Sequence, residues 1–87
     1  MYVIIVYDVN VDRVNRVKKF LRMHLNWVQN SVFEGEVTKS DLEEIKMGLK
    51  KIIDQEEDMV VFYILKSEKN LNREIMGHDK SKMNEII

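Results

Sequence analysis

Two short apolar runs constrain the fold of this chain more than any other feature. Residues 2–7 and 59–65 are rich in β-branched and aromatic side chains, and neither run alternates with polar residues. Such runs are typical of strands with apolar neighbours on both faces of a sheet. The chain has 87 residues, which is the length of one compact domain with a single small core. The sequence therefore predicts one sheet with both faces covered.

Two amphipathic helices are predicted between these strands. Asn10 or Asp12 can cap the first helix, and Ser40 has capping-box spacing to Glu43 at the start of the second. Apolar residues recur at helical spacing in both segments. They are Val14, Val17, Leu21 and Leu25 in the first helix, and Leu42, Ile45, Leu49, Ile52 and Ile53 in the second.

A hairpin is predicted between the two helices. Residues 26–37 alternate imperfectly, and Asn30-Ser31 is their strongest turn signal. The resulting order, β-α-β-β-α-β, predicts an α+β domain of ferredoxin-like layout over residues 1–65, with two helices on one face of a four-stranded antiparallel sheet. The other face also carries apolar side chains. Because a chain this short has nothing to cover them, we expect a homodimer formed through that face.

Residues 66–87 form the predicted C-terminal tail. The tail is polar and rich in lysine, but it contains two apolar islands, at 71–76 and 83–87. Residues 72–77 are predicted to form a short fifth strand that pairs with the sheet edge of the partner protomer. Such a strand would protect that edge and stabilise the dimer.

The composition excludes several classes of site. Cysteine is absent, which rules out disulfides, thiolate metal sites and cysteine nucleophiles and favours a cytoplasmic location. The N-terminus lacks a basic segment, and its apolar run is far shorter than the roughly 20 residues that span a membrane. We therefore expect neither a signal peptide nor a membrane anchor.

Basic residues are concentrated in the first predicted helix. Five bases lie between residues 13 and 33 without a single acid, although the formal charge of the whole chain is −1. A stripe of this kind attracts phosphates, and the positive end of the helix dipole adds to it near the first turn. Surface solvation explains the same residues equally well. The predicted nucleic-acid-binding residues are Arg13, Arg16, Lys19 and Arg22.

Asp8 closes the first strand and is the leading candidate for a metal ligand. An aspartate in this position is more often a turn or cap residue. In a dimer whose twofold axis passes near the strand ends, however, two Asp8 carboxylates would face each other, and they must then take up a proton or bind a cation. Mg²⁺ fits such a site, since it takes one or two carboxylates and keeps waters that leave room for phosphate oxygens. The sequence thus predicts Asp8 as a metal ligand and catalytic residue for phosphodiester cleavage, or for metal-dependent binding without turnover.

Neither histidine suits the role of general base. His24 is expected about 20 Å from Asp8, because the helix between them rises 1.5 Å per residue. It is predicted to be a boundary histidine, between core and surface, beside Phe20. His78 lies in the tail and would reach Asp8 only if the tail folded back.

Aromatic residues of the first strand and the hairpin are further candidates for the site. Tyr7 points to the opposite face from Asp8 by strand alternation and is predicted to line the dimer cleft. Trp27 and Phe33 suit stacking on bases, but aromatic residues in a short hairpin more often pack in a core or an interface.

Three segments together resemble the CRISPR-associated protein 2 family. Tyr7-Asp8-Val9 closes the first strand, residues 16–21 read RVKKFL in the first helix, and residues 28–35 read VQNSVFEG in the hairpin. Each motif is weak alone. Their order and spacing in so short a chain are specific, and the similarity covers residues 2–65.

The resemblance implies a cytoplasmic homodimer that joins the integrase, CRISPR-associated protein 1, and grips duplex DNA as a scaffold for inserting new spacers. It also implies magnesium-dependent endonuclease activity on RNA or double-stranded DNA, with the strand-end aspartate, here Asp8, as the metal ligand. Arg16 falls on another motif position of the family. Tyr7, Ser31 and Phe33 fall on motif positions around the cleft.

One departure from the family pattern bears on the nuclease prediction. Many relatives carry an arginine just before the Val-Gln pair of the hairpin, where this chain has Trp27, so a contact to phosphate would be missing. The alternative is a non-catalytic ferredoxin-like regulatory or small-molecule module. The chain lacks a glycine-rich phosphate loop and the aromatic motif of single-stranded RNA readers, but neither absence excludes that alternative.

Overall fold

The structure is a computed structural model that describes residues 1–82, and it contains a four-stranded antiparallel sheet with two α-helices packed against it. The elements are β1 (Tyr2–Asp8), α1 (Val11–Arg22), β2 (Asn26–Gln29), β3 (Val32–Glu36), α2 (Lys39–Ile52) and β4 (Met59–Leu65), followed by 3₁₀ turns at Glu68–Asn70 and Lys80–Lys82. The strand order is β2-β3-β1-β4. The predicted α+β, ferredoxin-like fold is therefore confirmed.

Strand β1 lies between two neighbours and supplies the centre of the core. It pairs with β3 on one side and with β4 on the other, antiparallel in both cases. Val3 and Ile5 are completely buried, and Tyr7 nearly so, whereas Asp8 is exposed. Because successive side chains of a strand point to opposite faces, the odd residues of β1 face the helices. They pack against Val17 and Leu21 of α1, Phe33 and Val37 around β3, and Leu42, Ile45 and Leu49 of α2.

Both helices begin at side-chain caps. Asn10 caps α1 by accepting a 2.9 Å hydrogen bond from the backbone N–H of Asp12. In α2 the predicted cap at Ser40 is wrong, because Thr38 and Asp41 form the capping box instead. The backbone N–H of Val37 donates a hydrogen bond to the carbonyl of Met1, so Val37 is still attached to the sheet. The next residue, Thr38, is therefore the first that can cap the helix. Neither helix within residues 1–82 has the length and hydropathy to cross a membrane.

The hairpin turn lies at Asn30-Ser31, as predicted. Asn30 has a φ of 32°, a left-handed conformation that asparagine tolerates better than most residues. The indole N–H of Trp27 donates a 3.1 Å hydrogen bond to the carbonyl of Asn30 and closes the turn. A register shift between Trp27 and Gln29 makes β2 short and irregular.

The tail forms no strand within residues 66–82. A strand at 72–77 was predicted to pair with the edge of a second protomer, and a single chain does not provide that edge. Arg73 instead contacts the carboxylate of Glu34 on β3. The fifth strand therefore stays a prediction for the dimer, and the apolar island at 83–87 lies outside the described residues.

We predict that truncating two apolar side chains of α2 lowers the free energy of unfolding by very different amounts. Ile45 of α2 is completely buried, whereas Met47 is 63% exposed. Ile45→Ala should lower the free energy of unfolding by about 3 kcal/mol, since it leaves a cavity beneath the helix. Met47→Ala should change it by less than about 0.5 kcal/mol. Urea denaturation of both variants measures the difference, and equal losses would contradict this account of the core.

Candidate functional site

Asp8 lies at the end of β1, on the sheet face opposite the helices. Its direct neighbour across the sheet is Met59, the first residue of β4. Tyr7 points into the core, so alternation directs Asp8 away from it. The Asp8 side chain is exposed, and within residues 1–82 it accepts no hydrogen bond and forms no ion pair. Its carboxylate is therefore available to a cation.

A metal at Asp8 would need ligands from outside the single chain. No group of three or more acidic, histidine or cysteine side chains suited to a metal occurs among the described residues. Mg²⁺ commonly binds one or two carboxylates and completes its shell with water. The donor chemistry of Asp8 fits this ion, and one chain supplies half of the predicted pair of carboxylates.

The sheet face that carries Asp8 is incompletely covered, and we call it the open face. Residues directly opposed in antiparallel strands share a face. Along β1 and β4 the open face therefore consists of Tyr2, Ile4, Val6, Asp8, Met59, Val61, Tyr63 and Leu65. Met59 is 62% exposed and Tyr63 56% exposed, while Ile4, Val6 and Val61 are half-buried. Apolar side chains in a contiguous exposed area are typical of an interaction surface.

Arg13 is engaged in an ion pair beside Asp8. Its Nε and Nη2 atoms donate to the two carboxylate oxygens of Asp58, at 2.7 and 3.0 Å. The Asp58 side chain is completely buried, and it also accepts hydrogen bonds from the backbone N–H groups of Asn10 and Asp54, both at 2.9 Å. The guanidinium of Arg13, which was predicted to bind phosphate, is thus held by Asp58 within the fold. Its contact to nucleic acid stays a prediction.

The hydrogen bonds to Asp58 hold its pKa well below the usual range of an aspartate. The Arg13 guanidinium is the largest cause, and the backbone N–H groups of Asp54 and Asn10 add to it, while burial opposes the shift. The same contact raises the pKa of Arg13. The pair is therefore fully ionised at neutral pH.

The other three residues predicted to bind nucleic acid are exposed on α1. Arg16, Lys19 and Arg22 lie on the helix surface away from Val17 and Leu21. Lys19 and Arg22 belong to the last turn, where cations also interact favourably with the helix dipole. Unlike Arg13, these three side chains are available to phosphates.

Comparison with known proteins decides the family. The family model described as CRISPR associated protein Cas2 matches residues 1–73. The chain belongs to the Cas2 family. It is 64% identical over 80 residues to CRISPR-associated endoribonuclease Cas2 2 of Archaeoglobus fulgidus, covering 92% of this chain and 87% of the relative. It is 62% identical to CRISPR-associated endoribonuclease Cas2 of Pyrococcus furiosus over the full length of both chains.

Solved structures of Cas2 proteins share the fold. One structure, described as cas2, superposes with a TM-score of 0.85 at 56% identity, covering 93% of this chain and 91% of the other. Streptococcus pyogenes Cas2 superposes with a TM-score of 0.77 at 37% identity, covering 88% of this chain and all of the other. The resemblance deduced from the sequence motifs is confirmed.

Two of the cleft residues expected from the Cas2 resemblance lie in the core. Tyr7 is 3% exposed and Phe33 is completely buried, and their rings stack at 6.3 Å. Both face the helices, so neither lines a cleft on the open face, and that part of the prediction is corrected. The reason is the strand register: Tyr7 lies on the helix-facing side of β1, and Phe33 pairs directly with Ile5 of that same side. Ser31 lies in the turn, where its carbonyl accepts the N–H of Tyr7 at 3.1 Å.

The Tyr7 hydroxyl is buried without a hydrogen-bond partner among residues 1–82. Burial raises its pKa, and the nearby Ser31 hydroxyl and the charge of Arg22 offset only part of that rise. The Ser31 hydroxyl lies outside hydrogen-bond geometry with the Tyr7 hydroxyl. Tyr7 is therefore a neutral core residue.

His24 packs against Phe20 with ring centroids 4.9 Å apart, at the boundary position expected of it.

Sequence reasoning missed a buried carboxylate in this Cas2 fold. Glu34 of β3 is 7% exposed and accepts a 2.6 Å hydrogen bond from the hydroxyl of Tyr2. Arg73 of the tail binds the same oxygen. Burial is the main cause that raises the pKa of Tyr2, and the hydrogen bond and charge of Glu34 raise it further. A cavity of about 510 Å³ adjoins this cluster, between α1, β2 and the tail. The sequence signal that could have identified Glu34 is its position directly after the apolar pair that begins β3.

The Asp58 contacts predict an acid-sensitive contribution to stability. A carboxylate with a lowered folded-state pKa stabilises the fold above its unfolded pKa of about 3.9 and loses that contribution as the pH falls further. Wild type should therefore resist urea more strongly than Asp58→Asn at pH 6, and the difference should shrink at pH 2.5. Urea midpoints at both pH values measure it. Glu56→Gln, an exposed acid of the same loop, is the control, and a pH-independent difference for Asp58→Asn would contradict the assignment.

Proposed function

We propose that this chain acts in CRISPR spacer acquisition as a homodimeric scaffold, which binds duplex DNA and bridges dimers of the integrase, CRISPR-associated protein 1. We further propose that paired Asp8 carboxylates hold Mg²⁺ for phosphodiester cleavage of RNA or double-stranded DNA. The observation that carries the proposal is the exposed Asp8 carboxylate at the border of the incompletely covered open face. The names of the relatives, which describe endoribonucleases, support the cleavage activity.

The dimer is proposed to form through the open face. Met59 and Tyr63 expose more than half of their surface there, although strands this apolar normally lie between two covered faces. A second copy offers a face of identical composition, as a twofold interface requires. Pairing of this kind would bury both residues and bring the two Asp8 side chains towards each other.

The cleavage chemistry would centre on Asp8. When bound there, Mg²⁺ would neutralise the negative charge of the phosphodiester. Asp8 would hold the ion through its exposed carboxylate. Arg16, on the exposed side of α1, would bind a phosphate oxygen and orient the backbone of the substrate.

The scaffold role is proposed to use the basic surface of α1. The helices cover the sheet face opposite the proposed interface, so α1 of each protomer stays exposed in the dimer. Arg16, Lys19 and Arg22 would then present two basic helices to a duplex. Phosphate contacts of this kind bind DNA without reading its sequence, as a general adaptor for spacers requires.

Asp8→Asn tests the metal-dependent cleavage. The substitution keeps the size of the side chain but removes its charge, so Mg²⁺-dependent cleavage should fall by about 10²–10³-fold, as when an electrostatic stabiliser is removed. The measurement is cleavage of RNA and of duplex DNA at several Mg²⁺ concentrations. Light scattering should show that the variant is still a dimer.

Asp12→Asn is the matched control, since Asp12 is an exposed acid only four residues further along the chain. Its cleavage rate should equal that of wild type. Undiminished cleavage by purified Asp8→Asn would disprove the catalytic assignment, and a monomeric wild type would disprove the paired site.

Charge reversal on α1 tests the scaffold. The triple variant Arg16→Glu, Lys19→Glu, Arg22→Glu should stop spacer acquisition and weaken duplex binding. The slope of log affinity against log salt should become shallower by about 0.9 for each phosphate that the helix no longer neutralises. Fluorescence anisotropy of a labelled duplex measures this slope, over a salt range of about 50 to 200 mM in which phosphate binding responds strongly.

A second triple variant, Lys39→Glu, Lys50→Glu, Lys51→Glu, provides a control of equal charge on α2, where all three lysines are exposed. It should bind DNA with nearly the salt slope of wild type. The same slope for both triple variants would show that net charge, rather than the α1 surface, governs binding.

A further inference from the structure

The buried Asp58 carboxylate joins three separate parts of the chain. It accepts hydrogen bonds from the guanidinium of Arg13 in α1, from the backbone N–H of Asn10 in the loop after β1, and from the backbone N–H of Asp54 in the loop before β4. The side chain of Asn10 also donates a 2.6 Å hydrogen bond to Glu57. We call the group of Asn10, Arg13 and Asp58 the clamp.

The clamp lies directly beside Asp8. Asn10 is two residues after Asp8 in the chain, and Asp58 immediately precedes Met59, which pairs with Asp8 across the sheet. Both strand ends that border the Asp8 carboxylate are therefore attached to the same buried side chain. The ends of strands fray easily unless other contacts hold them.

We propose that Arg13 and Asp58 are positioning residues for Asp8, which fix the ends of β1 and β4 so that its carboxylate meets a divalent cation in a defined place. The proposal rests on the metal site proposed above. It gives Arg13 a role inside the protein instead of the phosphate contact expected from the sequence.

The geometry of the clamp distinguishes it from a surface ion pair. Exposed pairs such as Lys46 with Glu43 join flexible side chains at 3.7 Å and contribute little. Asp58 is completely buried, and its carboxylate accepts four hydrogen bonds of 2.7–3.0 Å. Its bidentate contact to Arg13 defines direction as well as distance. Groups that orient a metal ligand in this way commonly change metal affinity by about 10–100-fold when they are removed.

Hydrogen exchange tests the positioning without a metal. The N–H of Tyr7, at the clamped end of β1, is bonded to Ser31, whereas the N–H of Val37, at the other end of the sheet, is bonded to Met1. Asp58→Asn should speed exchange at Tyr7 by about tenfold relative to Val37, because charge-assisted hydrogen bonds are removed beside it. The matched control is Asp41→Asn, which removes a carboxylate that caps α2 beside Val37 and should favour exchange at Val37 instead.

Cation affinity tests the consequence for Asp8. Mn²⁺ is a paramagnetic substitute for Mg²⁺, and its binding to the full-length protein is followed by relaxation of water protons. Arg13→Lys keeps the charge but cannot donate two parallel hydrogen bonds, so it should weaken Mn²⁺ binding less than Arg13→Gln does. Asp58→Asn should weaken it by at least about tenfold, and Asp41→Asn should leave it unchanged.

The outcomes separate this inference from the proposed function. If Asp8→Asn abolishes Mn²⁺ binding but the Arg13 and Asp58 variants bind as wild type does, the clamp does not position Asp8 and the metal site stands. If Asp58→Asn and Asp41→Asn weaken binding and speed exchange equally, the clamp contributes only general stability and the inference is overturned. If Asp8→Asn binds Mn²⁺ like wild type, the metal site is wrong, and with it the role of the clamp towards a cation.

Discussion

The alternation of side chains along β1 is the constraint on which the structure depends. Hydrogen bonds to β3 and β4 hold the strand on both edges, so its register cannot slip without moving a complete set of side chains to the wrong face. Val3, Ile5 and Tyr7 enter the core beneath the helices, and the even residues face the other way. The packing that stabilises the domain therefore also directs Asp8 out of it.

The elements with strong local signals could be predicted from the sequence. The strands at 2–8 and 59–65 are apolar almost throughout, α1 has regular helical spacing, and Asn30-Ser31 is a turn by residue type alone. The cap of α2 was misplaced because Thr38 with Asp41 and Ser40 with Glu43 have the same spacing, and only the position of the preceding strand selects between them. Local patterns thus identify the elements better than they identify the residues at which the elements begin.

The contacts between distant residues could not be predicted in this way. Arg13 and Asp58 are 45 residues apart, and nothing in the stripe of bases indicates that one of them binds an acidic loop. Glu34 and Arg73 are 39 residues apart and lie in segments that share no local pattern. Tyr7 and Phe33 fall on family motif positions, but motif matching does not state which face of the sheet a side chain occupies. The position of Asp8 could be predicted because it depends only on where one strand ends.

The contact between the tail and the sheet has a consequence for the order in which parts of the domain form. Arg73 follows Glu34 by 39 residues, so it is synthesised after every strand and helix of the sheet domain. A carboxylate is costly to bury without a cation, so the corner of the sheet around Glu34 favours water until Arg73 reaches it. The helix-side core can form without the tail, while the opposite corner closes only when Arg73 binds Glu34.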